Sequence, residues 1–248
     1  MSFIDIHCHL HFHRIAGCME SILANAKKAG IQHFVINSTE EGDWERVHTL
    51  VKHHEELTPC YGIHPYQITD DSSIARLKDF CSCQTGPYWI GEIGMDKSIS
   101  KRVPMDKQAE LFEKQVCLAK ELNVPFAVHC VKCVHSVFEV LARHGPFSRG
   151  FLMHGYAGPP DYISKFAELG AYFSISGYFF NLSLNRQKAM RDVIKKIPQD
   201  RLLFESDAPD MVVKSDDKKF TIIDDEKGVA NTPNCILEVY LKNEGCYV

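Results

Sequence analysis

The chain has 248 residues, of which 45% are hydrophobic and 24% are charged, and its formal net charge is -4 at pH 7. This length can form a full hydrophobic core and is common for a single α/β barrel. The negative charge argues against a protein that wraps long nucleic acid through a global basic field, although a local basic patch is allowed. No signal peptide precedes Asp5, and no apolar run reaches the length of a membrane span. We therefore expect a cytoplasmic or nuclear protein with no membrane partner and no obligate protein partner.

Ten cysteines are scattered along the chain, mostly within apolar runs. In a cytosolic protein they are most simply reduced thiols. Cys130 and Cys133 form one Cys-x-x-Cys motif, but a structural zinc site needs a second pair. We therefore do not interpret this motif as a redox or zinc site.

Predicted strands and helices alternate along the whole chain. The strands are predicted at residues 3–10, 32–37, 57–63, 88–93, 125–130, 150–153, 171–176 and 201–206. The helices are predicted at residues 19–29, 43–54, 74–83, 107–122, 134–144, 161–169, 186–197 and 234–242. Such alternation predicts a parallel sheet, and eight units in about 250 residues predict one closed (β/α)8 barrel, an α/β fold spanning residues 1–248. Residues 209–233 form the one long irregular stretch, which is typical of a functional or disordered loop.

The first predicted strand carries an unusual set of polar residues. Because strand side chains alternate between two faces, we expect Asp5, His7 and His9 to share one face and the apolar residues at 6, 8 and 10 to share the other. Buried polar groups need partners, and a divalent metal would satisfy two imidazoles at once. Asp5 would then be a ligand or would orient the ligands. The alternative is a pair of surface histidines on an edge strand.

Further polar residues stand at the C-terminal ends of the predicted strands, where a barrel has its mouth and builds its active site. They are His7, His9, His64, Glu92, His129, His154 and Asp207. Each has an ordinary alternative; Asp207, for example, could cap a helix. Their shared position favours a metal centre instead, and the donors suit zinc, manganese or magnesium with room for two ions. A bridging carboxylate and a bound hydroxide are the parts of metal-assisted hydrolysis.

Five short motifs place these residues in a recognisable order. They are DIHCHL at 5–10, GIHP at 62–65, GEIGMD at 91–96, VPFAVH at 124–129 and LFESDAP at 203–209, with the helix at 108–122 beside them. Through these motifs nearly the whole chain resembles the TatD family of metal-dependent deoxyribonucleases, within the amidohydrolase superfamily. Members of that family hydrolyse phosphodiesters and often trim DNA from a 3′ end.

The resemblance implies two or more divalent metal ions at the mouth of the barrel. It implies His7, His9, Glu92 and Asp207 at one ion, and Glu92, His129 and His154 at the other. Glu92 would bridge the ions, and Asp207 would orient or deprotonate the attacking water. Asp5 and Glu205 are predicted to orient the ligands. The expected activity is that of a deoxyribonuclease acting on DNA ends in the 3′–5′ direction.

The chain departs from the family pattern at three places. Val131 stands where the family often has arginine, with Lys132 as the nearest substitute. The usual His-x-Phe-x-Gly after the sixth strand is HGYAG at 154–158, which keeps an aromatic residue and adds a hydroxyl. The chain stops at Val248, so we expect a shortened closing helical region.

The expected substrate contacts come from loops beside the mouth. The basic stretch KSISKR at 97–102 supplies Lys97, Lys101 and Arg102, which are predicted, with Lys132, to hold the phosphates that flank the scissile one. His64 is also predicted to contact the substrate, and Tyr156 is predicted to stack on a terminal base. An ordinary solvated loop is the alternative for this stretch. Two other functions remain open: a hydrolase of a small ester, lactone or amide on the same barrel, and a catalytically degenerate binding protein.

Overall fold

The computed structural model describes residues 2–68, 72–213, 221–224 and 228–236, and for 221–224 and 228–229 it describes the backbone only. Eight parallel strands form one sheet in chain order, β1 to β8. Their bounds are Phe3–Cys8, Ile31–Asn37, Leu57–Tyr61, Trp89–Asp96, Phe126–Val131, Phe151–Met153, Ala171–Ser176 and Leu202–Glu205. Backbone hydrogen bonds then join β1 to the segment after β8: Asp207 N–H donates to His7 O, and His9 N–H donates to Ala208 O. The predicted (β/α)8 barrel is confirmed.

Helices α1 to α8 connect the strands and cover the outside of the barrel. Their bounds are His13–Ala16, Met19–Lys28, Glu41–His53, Ser73–Ser82, Met105–Leu122, Val134–His144, Asp161–Glu168 and Leu184–Ile194. The short α1 was not predicted. Among the described residues, no helix combines the length and the hydropathy needed to cross a membrane.

The predicted irregular stretch at 209–233 contains ordered structure. An antiparallel pair, β9 (Thr221–Asp224) and β10 (Gly228–Asn231), lies within it. Residues 237–242 of the predicted eighth helix, and the rest of the C-terminal region, lie outside the described residues.

The core has two parts, one on each side of the sheet. Inside the barrel, five strands contribute one buried side chain each, and these are Ile6, Val35, Cys60, Ala127 and Leu152. Outside, the helices pack on the remaining strand residues in one large cluster. The interior cluster packs inside the barrel below the mouth, so the polar side chains at the mouth lie directly above buried apolar side chains.

The expected alternation along β1 is wrong in one respect. Ile6 packs inside the barrel, whereas Cys8 and Leu10 pack on the helix side. The pairing explains this: Asp5 lies opposite Phe34 and Cys8 opposite Ile36, so β1 uses three residue steps where β2 uses two. One extra residue in a strand is a bulge, and it changes which face the following side chains take.

Candidate metal centre

Two imidazoles lie beside two carboxylates at the mouth of the barrel: His7 belongs to β1, and His9 follows its last residue. His7 Nε2 lies 3.4 Å from Glu92 Oε2 and 3.6 Å from Asp207 Oδ1. His9 Nε2 lies 3.5 Å and 3.3 Å from the same two oxygens. All four side chains are buried. The structure therefore brings together the four residues predicted at one metal ion.

The second oxygen of Glu92 faces a different set of imidazoles. Oε1 lies 2.7 Å from His129 Nδ1, 3.4 Å from His154 Nε2 and 3.5 Å from His64 Nε2. Glu92 thus stands between two groups, with Oε2 toward one and Oε1 toward the other. A carboxylate in that position can bridge two ions.

Two close backbone approaches set these positions. A Cβ atom on Gly62 would lie 2.6 Å from the backbone carbon of Gly91, and one on Gly94 would lie 2.0 Å from the carbonyl oxygen of His129. Gly94 also has a φ of +147°, a conformation that side chains disfavour. The glycines of GIHP and GEIGMD therefore let β3, β4 and β5 converge on the centre.

Hydrogen bonds behind the centre orient the imidazoles. His9 Nδ1–H donates to the carbonyl of Asn37 over 2.6 Å, and His154 Nδ1–H donates to Glu205 Oε1 over 3.0 Å. When the ring is neutral, each bond keeps its proton on Nδ1, so that Nε2 has a lone pair with which it can bind a cation. Asp5 does not reach the centre: its carboxylate accepts from the backbone N–H of Ser206 at 3.0 Å and from its hydroxyl. Burial raises the pKa of Asp5 to about 7 against these hydrogen bonds.

The charges of the centre are strongly coupled. Burial alone would lower the pKa of His9, His129 and His154, but neighbouring carboxylates raise these pKa values to about 9, 9 and 10. Burial alone would raise the pKa of Glu92 and Asp207, but the surrounding imidazoles hold both pKa values below the usual range. Protons on the imidazoles thus balance the carboxylates, and a bound cation would take over that role.

His7 supplies a direct test of whether a metal ion fits. Its ring is fully buried, and neither Nδ1 nor Nε2 has a hydrogen-bond partner among the described residues. Burial, followed by the nearby His154, lowers its pKa, so the ring is neutral and can offer a lone pair. Three groups could hold an ion: His7, His9 and Asp207; His64, Glu92 and His129; and His7, His154 and Glu205. Nitrogen and carboxylate donors of this kind suit zinc or manganese.

Comparison with known proteins decides the family. The sequence model of the TatD related DNase family matches residues 4–242. The chain belongs to the TatD family of metal-dependent hydrolases. It is 30% identical over 212 residues to the uncharacterized metal-dependent hydrolase YjjV of Escherichia coli, covering 84% of this chain and 80% of that protein. It is 26% identical over 222 residues to the human deoxyribonuclease TATDN3, covering 84% of this chain and 78% of that protein.

Solved structures of TatD proteins share the fold. The crystal structure of the YjjV protein of Escherichia coli superposes with a TM-score of 0.84 at 27% identity, covering 99% of this chain and 90% of that chain. A hydrolase of the TatD family from Entamoeba histolytica superposes with a TM-score of 0.81 at 19% identity, covering 99% and 91%. The barrel therefore has the fold of the family.

His64 of the TatD motif GIHP lies deeper than a surface substrate contact would. Its side chain is buried, and its ring centroid is 4.4 Å from that of His129. Nδ1 accepts a hydrogen bond from the backbone N–H of Tyr66 over 3.1 Å. When His64 is neutral, as burial favours by lowering its pKa, the proton is on Nε2 and faces Glu92. His64 in this tautomer is a hydrogen-bond donor at the centre.

Asp96, the last residue of GEIGMD, was missed as a member of the site. Its Oδ2 lies 3.3 Å from His129 Nε2 and accepts a hydrogen bond from the Tyr66 hydroxyl over 2.8 Å. The bonds from His129, Ser98 and Tyr66 outweigh burial and lower its pKa. Its place inside a motif was the available signal, since a strand-end carboxylate beside Glu92 is within reach of the same mouth.

Two glutamines of α5 were also missed. Gln108 accepts from the backbone N–H of Asp96 over 2.7 Å and donates to its carbonyl over 3.1 Å. Gln115 makes the same pair of bonds with Ile63, at 2.8 Å and 3.0 Å. Both side chains are buried. The signal was a polar residue repeated after seven positions on the apolar face of a helix, which needs a buried partner.

The predicted substrate contacts have different outcomes. Lys97, Lys101 and Arg102 are exposed in the loop after β4, and Lys97 lines a cavity that borders His129. Arg102 donates to the carbonyl of Tyr66 over 2.8 Å, and its guanidinium lies 5.4 Å from the centre of the Tyr66 ring. Arg102 therefore packs against the exposed ring of Tyr66.

The prediction that Tyr156 stacks on a terminal base is wrong. The ring is 2% exposed and packs edge-to-face on Phe173 at 5.2 Å, while its hydroxyl donates to the carbonyl of Pro159 over 2.7 Å. Both the apolar ring and the new hydroxyl of the HGYAG motif are thus satisfied inside the protein, so Tyr156 is a structural residue.

Proposed function

We propose that this chain is a metal-dependent phosphodiesterase that trims DNA from an end, in the manner of a 3′–5′ exonuclease. The single observation that carries the proposal is the placement of Glu92, whose two oxygens face two separate groups of imidazoles. Two divalent ions, zinc, magnesium or manganese, would be held by His7, His9, Glu92 and Asp207 and by Glu92, His129 and His154. The name of the relative TATDN3, a deoxyribonuclease, supports DNA as the substrate.

The residues of the chain would each have a distinct part in the reaction. Bound ions supply Lewis-acid stabilisation of phosphate charge and lower the pKa of water. Asp207, which faces His7 and His9, would orient the attacking water and accept its proton on a carboxylate oxygen. Glu92 holds the two groups of ligands at a fixed separation. Glu205 and Asn37 keep His154 and His9 in the tautomer that leaves Nε2 available.

The test uses purified protein stripped with a strong chelator and then resupplied with one ion at a time. A single-stranded oligonucleotide labelled at its 5′ end should give a ladder of products shortened from the 3′ end, and only when an ion is present. An oligonucleotide labelled at its 3′ end should release labelled mononucleotide first. Equal cleavage after exhaustive chelation would contradict a metal mechanism, and internal cuts without end trimming would contradict the exonuclease mode.

A second candidate function has one observation in its favour. The cavity beside His129 and His154 has mainly apolar walls, which a small ester, lactone or amide would also fit. A panel of such compounds assayed beside the oligonucleotide distinguishes the two, since the favoured substrate should have the higher kcat/KM. A degenerate binding protein is disfavoured, because all six proposed ligand residues are present and converge.

A further inference from the structure

A large cavity opens directly beside one half of the metal centre. Its volume is about 950 Å3, and His129, His154 and Glu205 form the wall that it shares with the centre. Residues from the segments that follow β4, β5, β6, β7 and β8 make the other walls. Pockets that hold drug-sized ligands measure roughly 300–1,000 Å3, so the cavity can accept a group of that size next to the reacting atoms.

The walls away from the centre are apolar and aromatic. Tyr162, Tyr178, Phe179, Leu182 and Met211 contribute to them. Tyr178 is 44% exposed and Met211 is 40% exposed, which leaves two large side chains partly in solvent at the same opening. Exposed apolar surface gathered at an opening marks a binding site, and a tyrosine ring offers a flat face for stacking.

The exposed charged residues that line this cavity are positive. Lys97 and Lys132 line it and are exposed. Glu205 is the one carboxylate among the described residues that line it, and it is buried and hydrogen-bonded to His154 and Ser174. A ligand that matches this cavity has a flat apolar body and an attached anion. A neutral ester would leave both lysines without a partner.

We propose that the cavity binds the base of the nucleotide next to the scissile phosphate, with Tyr178 as its stacking partner and Lys97 and Lys132 on the flanking phosphates. This inference rests on the proposed function. A base inside the cavity cannot be paired with a second strand, so the substrate is an unpaired strand end that carries its base. An abasic end or a fully paired end lacks the group that the cavity recognises.

The experiment compares two oligonucleotides that differ in one group. Both are single strands with a 5′ label, and one has a tetrahydrofuran abasic analogue in place of each of its last two 3′ nucleosides. Stacking of one base on an aromatic side chain supports a preference of about 10-fold in kcat/KM for the base-bearing strand. In Tyr178→Ala the preference should fall to within about 2-fold, and in Tyr178→Trp it should be kept.

Tyr172→Ala is the matched control. Tyr172 is 38% exposed on β7, and its ring lies beside Arg201 rather than at the cavity. Its substitution should leave the full preference in place. If Tyr178→Ala proves unstable in thermal denaturation, Met211→Ala serves as the second variant and should also reduce the preference.

The outcomes separate this inference from the proposed function. Ion-dependent cleavage of both oligonucleotides at equal kcat/KM would keep the nuclease and overturn the base-binding cavity. Absence of cleavage would overturn the nuclease, and the cavity would then be judged by fluorescence anisotropy with the ion-loaded protein. A base-bearing strand that binds about 10-fold more tightly than the abasic strand, with the difference lost in Tyr178→Ala, would support the cavity. Equal binding would overturn it.

Discussion

Nδ1 of His154 lies 3.0 Å from Oε1 of Glu205, a carboxylate with no exposed surface. Burial alone would lower the pKa of His154, and Glu205 is the largest of the effects that raise it to about 10. A buried acid of this kind sets the tautomer of the ring and increases the electron density that the other nitrogen offers to a cation.

We predict that Glu205→Gln weakens metal binding by 10- to 100-fold, the usual range for the loss of such a supporting group. An amide accepts a hydrogen bond but supplies no charge, so the pKa of His154 should fall. Competition with a fluorescent chelator measures the affinity. Glu168→Gln, an exposed position at the end of α7, is the control and should bind metal like the unmodified protein. Unchanged affinity in Glu205→Gln would show that the contact only fills space.

Asp207→Asn tests the proposed proton acceptor. We predict a loss of at least about 100-fold in kcat, or roughly 2.7 kcal/mol, because an amide neither accepts the proton nor carries charge at the centre. The control is Asp210→Asn, since Asp210 is 58% exposed and pairs with Arg14 at the surface. Rates on a methyl nitrophenyl phosphodiester, with metal content measured in parallel, give the answer. Near-normal turnover with full metal content would remove Asp207 from the mechanism.

Metal uptake should release protons, and the pKa values give the direction. His9, His129 and His154 have pKa values of about 9, 9 and 10 without metal, so these rings are protonated at pH 7.5. A ligand imidazole must be neutral, so binding an ion below these pKa values expels protons. Affinity should therefore keep rising as pH increases toward 9, whereas ordinary imidazoles with a pKa of about 6.5 would give a plateau above pH 7.5.

Calorimetry in buffers with different ionisation enthalpies counts the released protons. We expect more than one proton per chain when the centre is filled at pH 7.5. A binding enthalpy that does not depend on the buffer would contradict the raised pKa values.

Gly94→Ala should damage the centre without touching a ligand. The new Cβ would overlap the carbonyl oxygen of His129, and the φ of +147° would add backbone strain. We predict a loss of about 1–3 kcal/mol in the free energy of unfolding, together with reduced metal content. Urea denaturation and elemental analysis measure both. Gly17→Ala should change neither, because the added carbon would have no atom of a residue other than its immediate chain neighbours within 4 Å.

Two lysines of one loop should differ in their effect on DNA. Lys97 lines the cavity, whereas Lys101 lies outside it and is exposed. Lys97→Ala should raise KM for a single-stranded oligonucleotide and reduce the slope of log KM against log salt by about 0.7, the value for one phosphate contact. Lys101→Ala should have a smaller effect on both. A larger effect of Lys101→Ala than of Lys97→Ala would show that the DNA passes along the outer part of the loop and not beside the cavity.

The barrel and the convergence of the polar residues could be predicted because they depend on periodicity and on strand ends. His7, His9, Glu92 and Asp207 needed only the rule that the C-terminal ends of barrel strands share one mouth. The bulge between Asp5 and Cys8 depends on pairing with β2, which is a long-range contact that a local pattern does not contain.

The environments of single side chains were harder to predict. Tyr156 follows a strand-end histidine, as a substrate contact would, but the loop turns its ring toward Phe173 in the core. The motif indicates that Asp96 lies near the mouth, but its contact with His129 joins two strands and is absent from any local pattern. The pairing of residues 221–224 with 228–231 lies inside the stretch predicted to be irregular, because two strands of four residues each give too short a pattern to predict.

The side-chain amides of two α5 glutamines constrain insertions and deletions in that helix during evolution. Gln108 fixes the end of β4, and Gln115 fixes the segment after β3, from the same face of one helix. Inserting or deleting one residue between them would rotate one amide by roughly 100° about the helix axis and release its strand end. The number of residues between Gln108 and Gln115 should therefore stay constant among functional descendants, whereas substitutions on the exposed face of α5 should be tolerated.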